Sequence, residues 1–200
     1  RLFNIGINIS INQIFTAFHG ALLYCKKKKY QRIHLLVKDK KLKKEFNQFD
    51  LTSNNADAVV IGDMGKKFDY AILNQAFNHA MNGADIVGMH YNRYWRKDGL
   101  YRMDIGGFIK ALEYASGKKA TIIGKPSKEF FNLASKDWGF KKSLIGMVGD
   151  DIDTDIGGAQ RAGLKGILVK TGKYLPYVAS QSKIKPYQTI PSFNHIIDIL

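Results

Sequence analysis

Leu144-Ile145-Gly146-Met147-Val148-Gly149-Asp150-Asp151-Ile152-Asp153-Thr154-Asp155-Ile156-Gly157-Gly158-Ala159 joins a short apolar run to four carboxylates. The run up to Gly149 reads as a buried strand. The acids follow where the carboxyl edge of a parallel sheet opens into a crevice. Magnesium prefers a few carboxylate oxygens together with water and phosphate oxygens. Asp150 and Asp155, separated by a turn and the start of a helix, can face one small cavity; Asp151 and Asp153 either join them or point to solvent. A second reading is that Asp153, Thr154 and Asp155 cap a helix beginning near Ile156, because short acidic and hydroxyl side chains accept the free N–H groups of a first turn. The stretch alone leaves both open.

Working outward, the second half of the chain alternates. Ala120 to Gly124 reads as a strand, Ser127 to Asp137 as a helix, Leu144 to Gly149 as a strand, Ile156 to Ala162 as a helix and Gly166 to Lys170 as a strand. This spacing implies βαβ units and a parallel sheet. Pro176 to Pro191 reads as a loop, and Ser192 opens a short closing helix through Leu200.

In the first half, Ile11, Ile14, Phe15, Phe18, Leu22 and Leu23 share one helical face, which predicts a helix over Ile11 to Tyr24 with Ser10 as N-cap. Gln31 to Val37 and Asp57 to Gly62 read as strands with a basic segment between them. Phe68 to Met81 reads as a helix stopped by Asn82-Gly83, and Ala84 to His90 as a third strand. Tyr91 to Arg102 is an aromatic, charged loop with a turn at Asp98-Gly99. Gly106-Gly107 precede a helix over Phe108 to Ala115, which Gly117 ends.

Two hundred residues, 45% of them hydrophobic, suffice for one sizeable core or two small domains. The formal charge of +14 favours anionic partners: phosphorylated small molecules, nucleic acid or an acidic surface. Lys26 to Lys29 and Lys38 to Lys44 read as solvated helix ends or loops, since neither accompanies a nucleic-acid-binding motif. The single cysteine, Cys25, excludes an internal disulfide and suits a reducing compartment. It reads either as a small apolar group at a helix end or as a thiol activated by the neighbouring lysines. No stretch is long enough to span a bilayer and no signal-peptide pattern opens the chain, so an intracellular location, cytoplasmic or mitochondrial, is expected without a membrane partner. His19, His34, His79, His90 and His195 show no metal-ligand spacing.

Gly124-Lys125-Pro126 after one strand, and Gly149-Asp150-Asp151 with Asp155 after the next, resemble the third and fourth motifs of the haloacid dehalogenase (HAD) superfamily. Leu73 to Phe77, Lys97 to Leu100, Gly107 to Gly117, Gly158 to Gly163 and Gly166 to Tyr174 resemble its NagD-like branch, which carries a large cap and includes the phospholysine/phosphohistidine inorganic pyrophosphate phosphatases. The resemblance spans nearly the whole chain. It implies an α/β fold: a Rossmann-like parallel-sheet core, partial because its first strand is missing, with an inserted α/β cap of the C2 type. Residues 1–28 would end the first core segment, 29–102 form the cap and 103–200 the second half of the core.

The resemblance also implies roles. Phosphoryl transfer in this superfamily passes through an aspartyl-phosphate, with Mg2+ holding nucleophile and phosphate together. Lys125 matches the catalytic lysine that offsets repulsion between two anions. Asp150 matches the magnesium ligand, Asp155 the acid that supports the metal site or its lysine, and Asp151 is a further candidate ligand. His90, Tyr91, Arg93, Tyr94, Trp95 and Asp98 would lie in the cap over the site, with His90, Tyr94 and Asp98 as candidates for substrate contact; alternatively they pack the cap as an aromatic cluster. A small phosphorylated substrate and a homodimer are expected by the same analogy.

The superfamily's nucleophile and acid/base aspartates lie in an Asp-x-Asp or Asp-x-Ser motif on the first core strand. Neither pattern occurs from Arg1 to Ser10, and Leu2 to Ile7 supplies no paired carboxylate. Three accounts follow. The first is a magnesium-dependent phosphatase whose first strand precedes Arg1, which the retention of Lys125, Asp150 and Asp155 favours. The second is a catalytically inactive relative serving in an anionic assembly such as a ribonucleoprotein, where affinity would come from phosphate neutralisation. The third is a nucleotide- or metal-binding α/β domain of another family.

Overall fold

Consecutive strand residues point to opposite faces of a sheet, so a strand buried at every position is covered on both faces. Ala58–Ile61 (β3) is buried throughout, and Arg32–Leu36 (β1) at all but its first residue. The computed structural model, which describes Gly6, residues 8–52 and residues 54–199, places both in a five-stranded parallel sheet. Asp50–Leu51 (β2), Asp85–Gly88 (β4) and Thr121–Ile122 (β7) complete it, in the order β2-β1-β3-β4-β7. The readings of Leu2 to Ile5, Ile7 and Leu200 lie outside the described residues.

The chain divides into two compact units, Arg1–Ile123 and Gly124–Leu200. In the first, the helix expected from Ile11 begins instead at Ala17 and runs to Lys27 (α1). Ser10 caps only a single 3-10 turn, Ile11–Gln13, and Ile14 is extended at φ −101° and ψ 114°. Thr16 is the true cap, accepting the His19 N–H at 3.1 Å. The basic segment forms a helix of its own, Lys40–Glu45 (α2), capped by Asp39; one apolar residue in six gave it no periodicity to read. Tyr70–Met81 (α3) is capped by Asp69 and ends at Asn82 with Gly83 at φ +108°.

The stretch expected as an aromatic loop is a hairpin. Tyr94–Lys97 (β5) and Leu100–Met103 (β6) pair antiparallel across Asp98-Gly99, whose φ angles of 54° and 76° are those of a two-residue type I′ turn. Ile105–Ser116 (α4) starts before the glycine pair rather than after it. Asp104 caps it, and a Cβ on Gly106 would lie 2.5 Å from the Asn92 carbonyl oxygen. Residues 103–123, grouped by the resemblance with the second half of the core, make their contacts in this first unit: α4 packs on α3, and β7 pairs with β4.

The second unit carries Gly146–Gly149 (β8), Lys165–Val169 (β9) and Gln188–Ile190 (β10) in a parallel sheet of order β10-β9-β8. Helices Lys128–Ala134 (α5), Gly158–Arg161 (α6) and Pro176–Gln181 (α7) accompany it. Its core is built from Phe131, Ile145, Ala159, Ala162 and Leu164, from Ile152, Ile156 and Leu168, and from Ile167, Val169 and Ile190. Both α7 and β10 fall in the segment expected as a loop, and the closing element is a 3-10 helix, Phe193–Ile199.

Candidate active site

Gly149 closes β8 without a side chain because Asp155 takes the space: a Cβ there would lie 2.5 Å from Asp155 Oδ2. Asp155 reaches that position through an unusually wide turn. The Asp151 carbonyl accepts from both the Asp155 and the Ile156 N–H, at 3.1 and 3.2 Å, and Ile152–Gly157 is wound as a π-helix before α6 begins. Such widened turns recur at functional sites. The side chain of Asp151 caps this turn, its Oδ1 accepting from the Asp153 and Thr154 N–H groups at 3.1 and 2.9 Å. The cap is thus one residue, Asp151, and Asp153 is exposed.

Lys125 Nζ lies 2.7 Å from Asp155 Oδ1; the carboxylate is 5% exposed and the lysine 41%. Asp155 Oδ2 accepts from the Asp151 N–H at 3.3 Å. Asp150, half-buried, accepts the Lys173 N–H on Oδ2 at 2.8 Å, and its other oxygen has no hydrogen bond among the described residues. Burial raises the pKa of Asp151, but the bonds from Thr154 and Asp153 and the charge of Lys173 outweigh it and hold the carboxyl below its ordinary range.

These hard oxygen donors suit magnesium. Their arrangement divides the labour, however. Among the described residues no group of three or more His, Cys, Asp or Glu stands where it could hold a metal. Asp151 is engaged through Oδ1 as a helix cap and Asp155 by the lysine and the Asp151 N–H, while Asp150 keeps one oxygen without a hydrogen bond among the described residues. Magnesium usually binds proteins through one or two carboxylates and keeps several waters, so a single such donor fits.

The remaining candidates lie in the first unit. His90 follows β4 and lines a cavity of about 780 Å³, with Nε2 3.7 Å from Asp104 Oδ1. Trp95 lines the same cavity. Tyr94 belongs to a separate recess, edge-on to Tyr101 at 5.2 Å with Arg93 over its ring. Asp98 is exposed at the hairpin turn. Tyr91 donates to Glu113 Oε2 at 2.6 Å, tying the loop to α4; that bond, then burial, pushes its phenol up to about 12. Sequence reasoning missed Lys38, Asp63, Lys66 and Arg102 in the large cavity. Lys38, Asp63 and His90 each follow the end of a parallel strand, the one signal that could have found them.

Residues 122–196 match the HAD-hydrolase-like family. The chain is 43% identical, over 201 residues, to haloacid dehalogenase-like hydrolase domain-containing protein 2 of Bos taurus, covering 99% of this chain and 75% of that protein. The chain belongs to the HAD-like hydrolases. Within this family it is also 40% identical, over 174 residues, to the phospholysine phosphohistidine inorganic pyrophosphate phosphatase of Danio rerio, covering 86% of this chain and 63% of that protein. Its fold matches that of the p-nitrophenyl phosphatase from Archaeoglobus fulgidus with a TM-score of 0.88, over 100% of this chain and 79% of that one; the 19% identity makes this a likeness of fold alone. The α/β reading with parallel sheets therefore holds for this HAD-like hydrolase. No helix among the described residues is long and apolar enough to cross a membrane.

Proposed function

We propose that the intact protein is a magnesium-dependent phosphatase of small phosphorylated compounds that works through an aspartyl-phosphate. The observation that carries this reading is the Lys125–Asp155 ion pair at the end of β8. A buried carboxylate fixing a half-exposed ammonium is costly to build for structure alone, because desolvation offsets much of the attraction.

In the proposed chemistry an aspartate of the family's first core strand attacks phosphorus. The bond to the leaving oxygen breaks as that oxygen takes a proton from a second aspartate, and water then attacks the aspartyl-phosphate and releases inorganic phosphate. Lys125 offsets the repulsion between the attacking carboxylate and the phosphate. Asp155 holds the lysine in place, and its own N–H bond from Asp151 prevents it from turning away. Asp150 would hold magnesium through its uncommitted oxygen. The ion, when bound, draws charge from the phosphoryl oxygens. The family relationship lends no support to the alternative of an inactive subunit in an anionic assembly.

The test is phosphate release from p-nitrophenyl phosphate by the intact protein, with and without magnesium. Release that requires magnesium, and a kcat about 10²-fold lower in Lys125→Met, are expected from the loss of one charge-stabilising group. Full activity in Lys125→Met, or no release from a panel of phosphomonoesters with magnesium present, would overturn the proposal.

A further inference from the structure

Between the end of α5 and the start of β8, three large apolar side chains of the second unit stand in water. Trp138, Phe140 and Leu144 are 54%, 68% and 69% exposed. The Ser135 carbonyl accepts the Trp138 N–H at 3.4 Å, and Gly139 turns at φ +70° where a Cβ would meet nothing within 4 Å. Lys141 leads into a 3-10 turn, Lys142–Leu144, that buries none of its residues. Scattered apolar side chains on a surface need no explanation, but a cluster of them marks contact with another body. The same stretch is basic: Lys136, Lys141 and Lys142 are exposed, against Asp137 as its one carboxylate. Among the described residues no carboxylate pairs with Lys136 or Lys141, and Lys142 donates to Asn132. The surface continues along the amino edge of the sheet. The Ile145 carbonyl accepts the Lys165 N–H at 2.9 Å, the Gly166 carbonyl accepts the Tyr187 N–H at 2.8 Å, and Lys165 Nζ stands 4.2 Å from the centre of the Tyr187 ring. This edge precedes β8, whereas Asp150 and Asp155 follow it, so a body seated here leaves the candidate active site open.

Three features select the partner. The cations are lysines without an arginine, which suits a diffuse anionic surface better than planar, two-pronged recognition of one phosphate or carboxylate. Tryptophan favours the boundary between water and hydrocarbon, where its ring is apolar and its N–H stays wet. Leu144 gains from hydrocarbon, whereas an aliphatic side chain offers a nucleic-acid base no face to stack on. We propose that this loop rests on an anionic lipid bilayer, with Trp138, Phe140 and Leu144 entering the interface and Lys136, Lys141 and Lys142 facing the headgroups. The lack of a spanning stretch bears on crossing a bilayer and not on lying against one. The proposal concerns the second unit alone and does not rest on the phosphatase reading.

Flotation of the intact protein with phosphatidylcholine vesicles, made with and without phosphatidylserine, tests it. Association is expected only where phosphatidylserine is present, and it should weaken as salt rises. The chain has two tryptophans, so in Trp95→Phe the emission reports on Trp138 alone and should shift to the blue on the vesicles. Trp138→Ala, Phe140→Ala, and Lys136→Glu combined with Lys141→Glu should each weaken association about tenfold. All four side chains are exposed, so these variants keep the fold. Absence of association with phosphatidylserine vesicles overturns the proposal. So does association undiminished in Trp138→Ala and Phe140→Ala, which would leave only an unspecific attraction of charges. Capture of a single-stranded RNA oligonucleotide in place of the vesicles, dependent on the same two aromatic residues, also overturns it and would assign the loop to nucleic acid.

Discussion

Gly172 and Asp150 are packed so closely that a methyl group on the glycine would overlap Asp150 Oδ2. Gly172 also sits at φ +60°, a conformation that costs other residues about 1–2 kcal/mol. Gly172→Ala should therefore displace the Asp150 carboxylate and raise the magnesium concentration needed for half-maximal activity about tenfold. Gly139→Ala is the control: it shares a positive φ of 70° but meets nothing within 4 Å, so it should lower stability without changing magnesium dependence. Equal magnesium curves for the two variants would remove Asp150 from the metal site.

The Lys125–Asp155 pair is asymmetric, and so is the cost of breaking it. Lys125→Met leaves a carboxylate that is 5% exposed without its counter-ion and should destabilise by about 3 kcal/mol. Asp155→Asn frees a lysine that already reaches water, and about 1 kcal/mol is expected. Urea denaturation of both variants and of the double substitution reads the difference. The reverse order would mean that Asp155 is held by something other than Lys125.

His34 makes stability depend on acid. Burial holds its imidazole below the usual range, and His79, with ring centroids 4.7 Å away, and Lys43 act in the same direction against the Thr52 carbonyl. The folded ring is neutral where an unfolded one, with its pKa near 6.5, takes a proton. Its contribution is complete above that pH and is lost as pH falls from there through the folded value, with a slope of up to about 1.4 kcal/mol per unit. Urea midpoints measured from pH 8 to 5 should show this loss, and His34→Leu should flatten it.

Cys25 packs as a small apolar group, fully buried in α1, and burial raises its thiol to about 12 from 9.0. The lysines beside it in sequence are exposed and do not activate it. Because the folded value is raised, its contribution to stability is intact below the unfolded pKa and is lost as pH rises toward 12. At pH 8 the folded protein should resist a thiol-specific reagent that titrates one thiol per chain in denaturant. Rapid labelling of the native protein would contradict this.

What could be read in the sequence followed from how locally each element is determined. The strands β1, β3 and β4 are nearly continuous apolar runs, and α3 carries both its periodicity and its stop, so each was legible. The hairpin β5–β6 mixes aromatic and charged residues and shows only its Asp98-Gly99 turn. The start of α1 was misplaced because Ile11 suits the helical face, yet is 83% exposed and sits outside the helix. The association of Lys125 with Asp155, 30 residues apart, was reached by resemblance alone. The sequence offers Asp153, Thr154 and Asp155 as the cap, and that Asp151 takes the role instead follows from a widened turn that side-chain chemistry does not announce.

That turn gives the chain one position where length matters more than identity. Residues Ile152–Gly157 fit one more amide into their first hydrogen-bonded ring than an α-helix does. A one-residue deletion between Asp151 and Asp155 would relax the turn to ordinary winding and leave the helix intact. It would also bring Asp155 one residue nearer to β8 and turn its side chain by about 100° about the helix axis, while the residues beyond the turn kept their places. The helix would survive in a circular dichroism spectrum while the carboxylate left the ammonium behind, so the site is specified by spacing as strictly as by residue type.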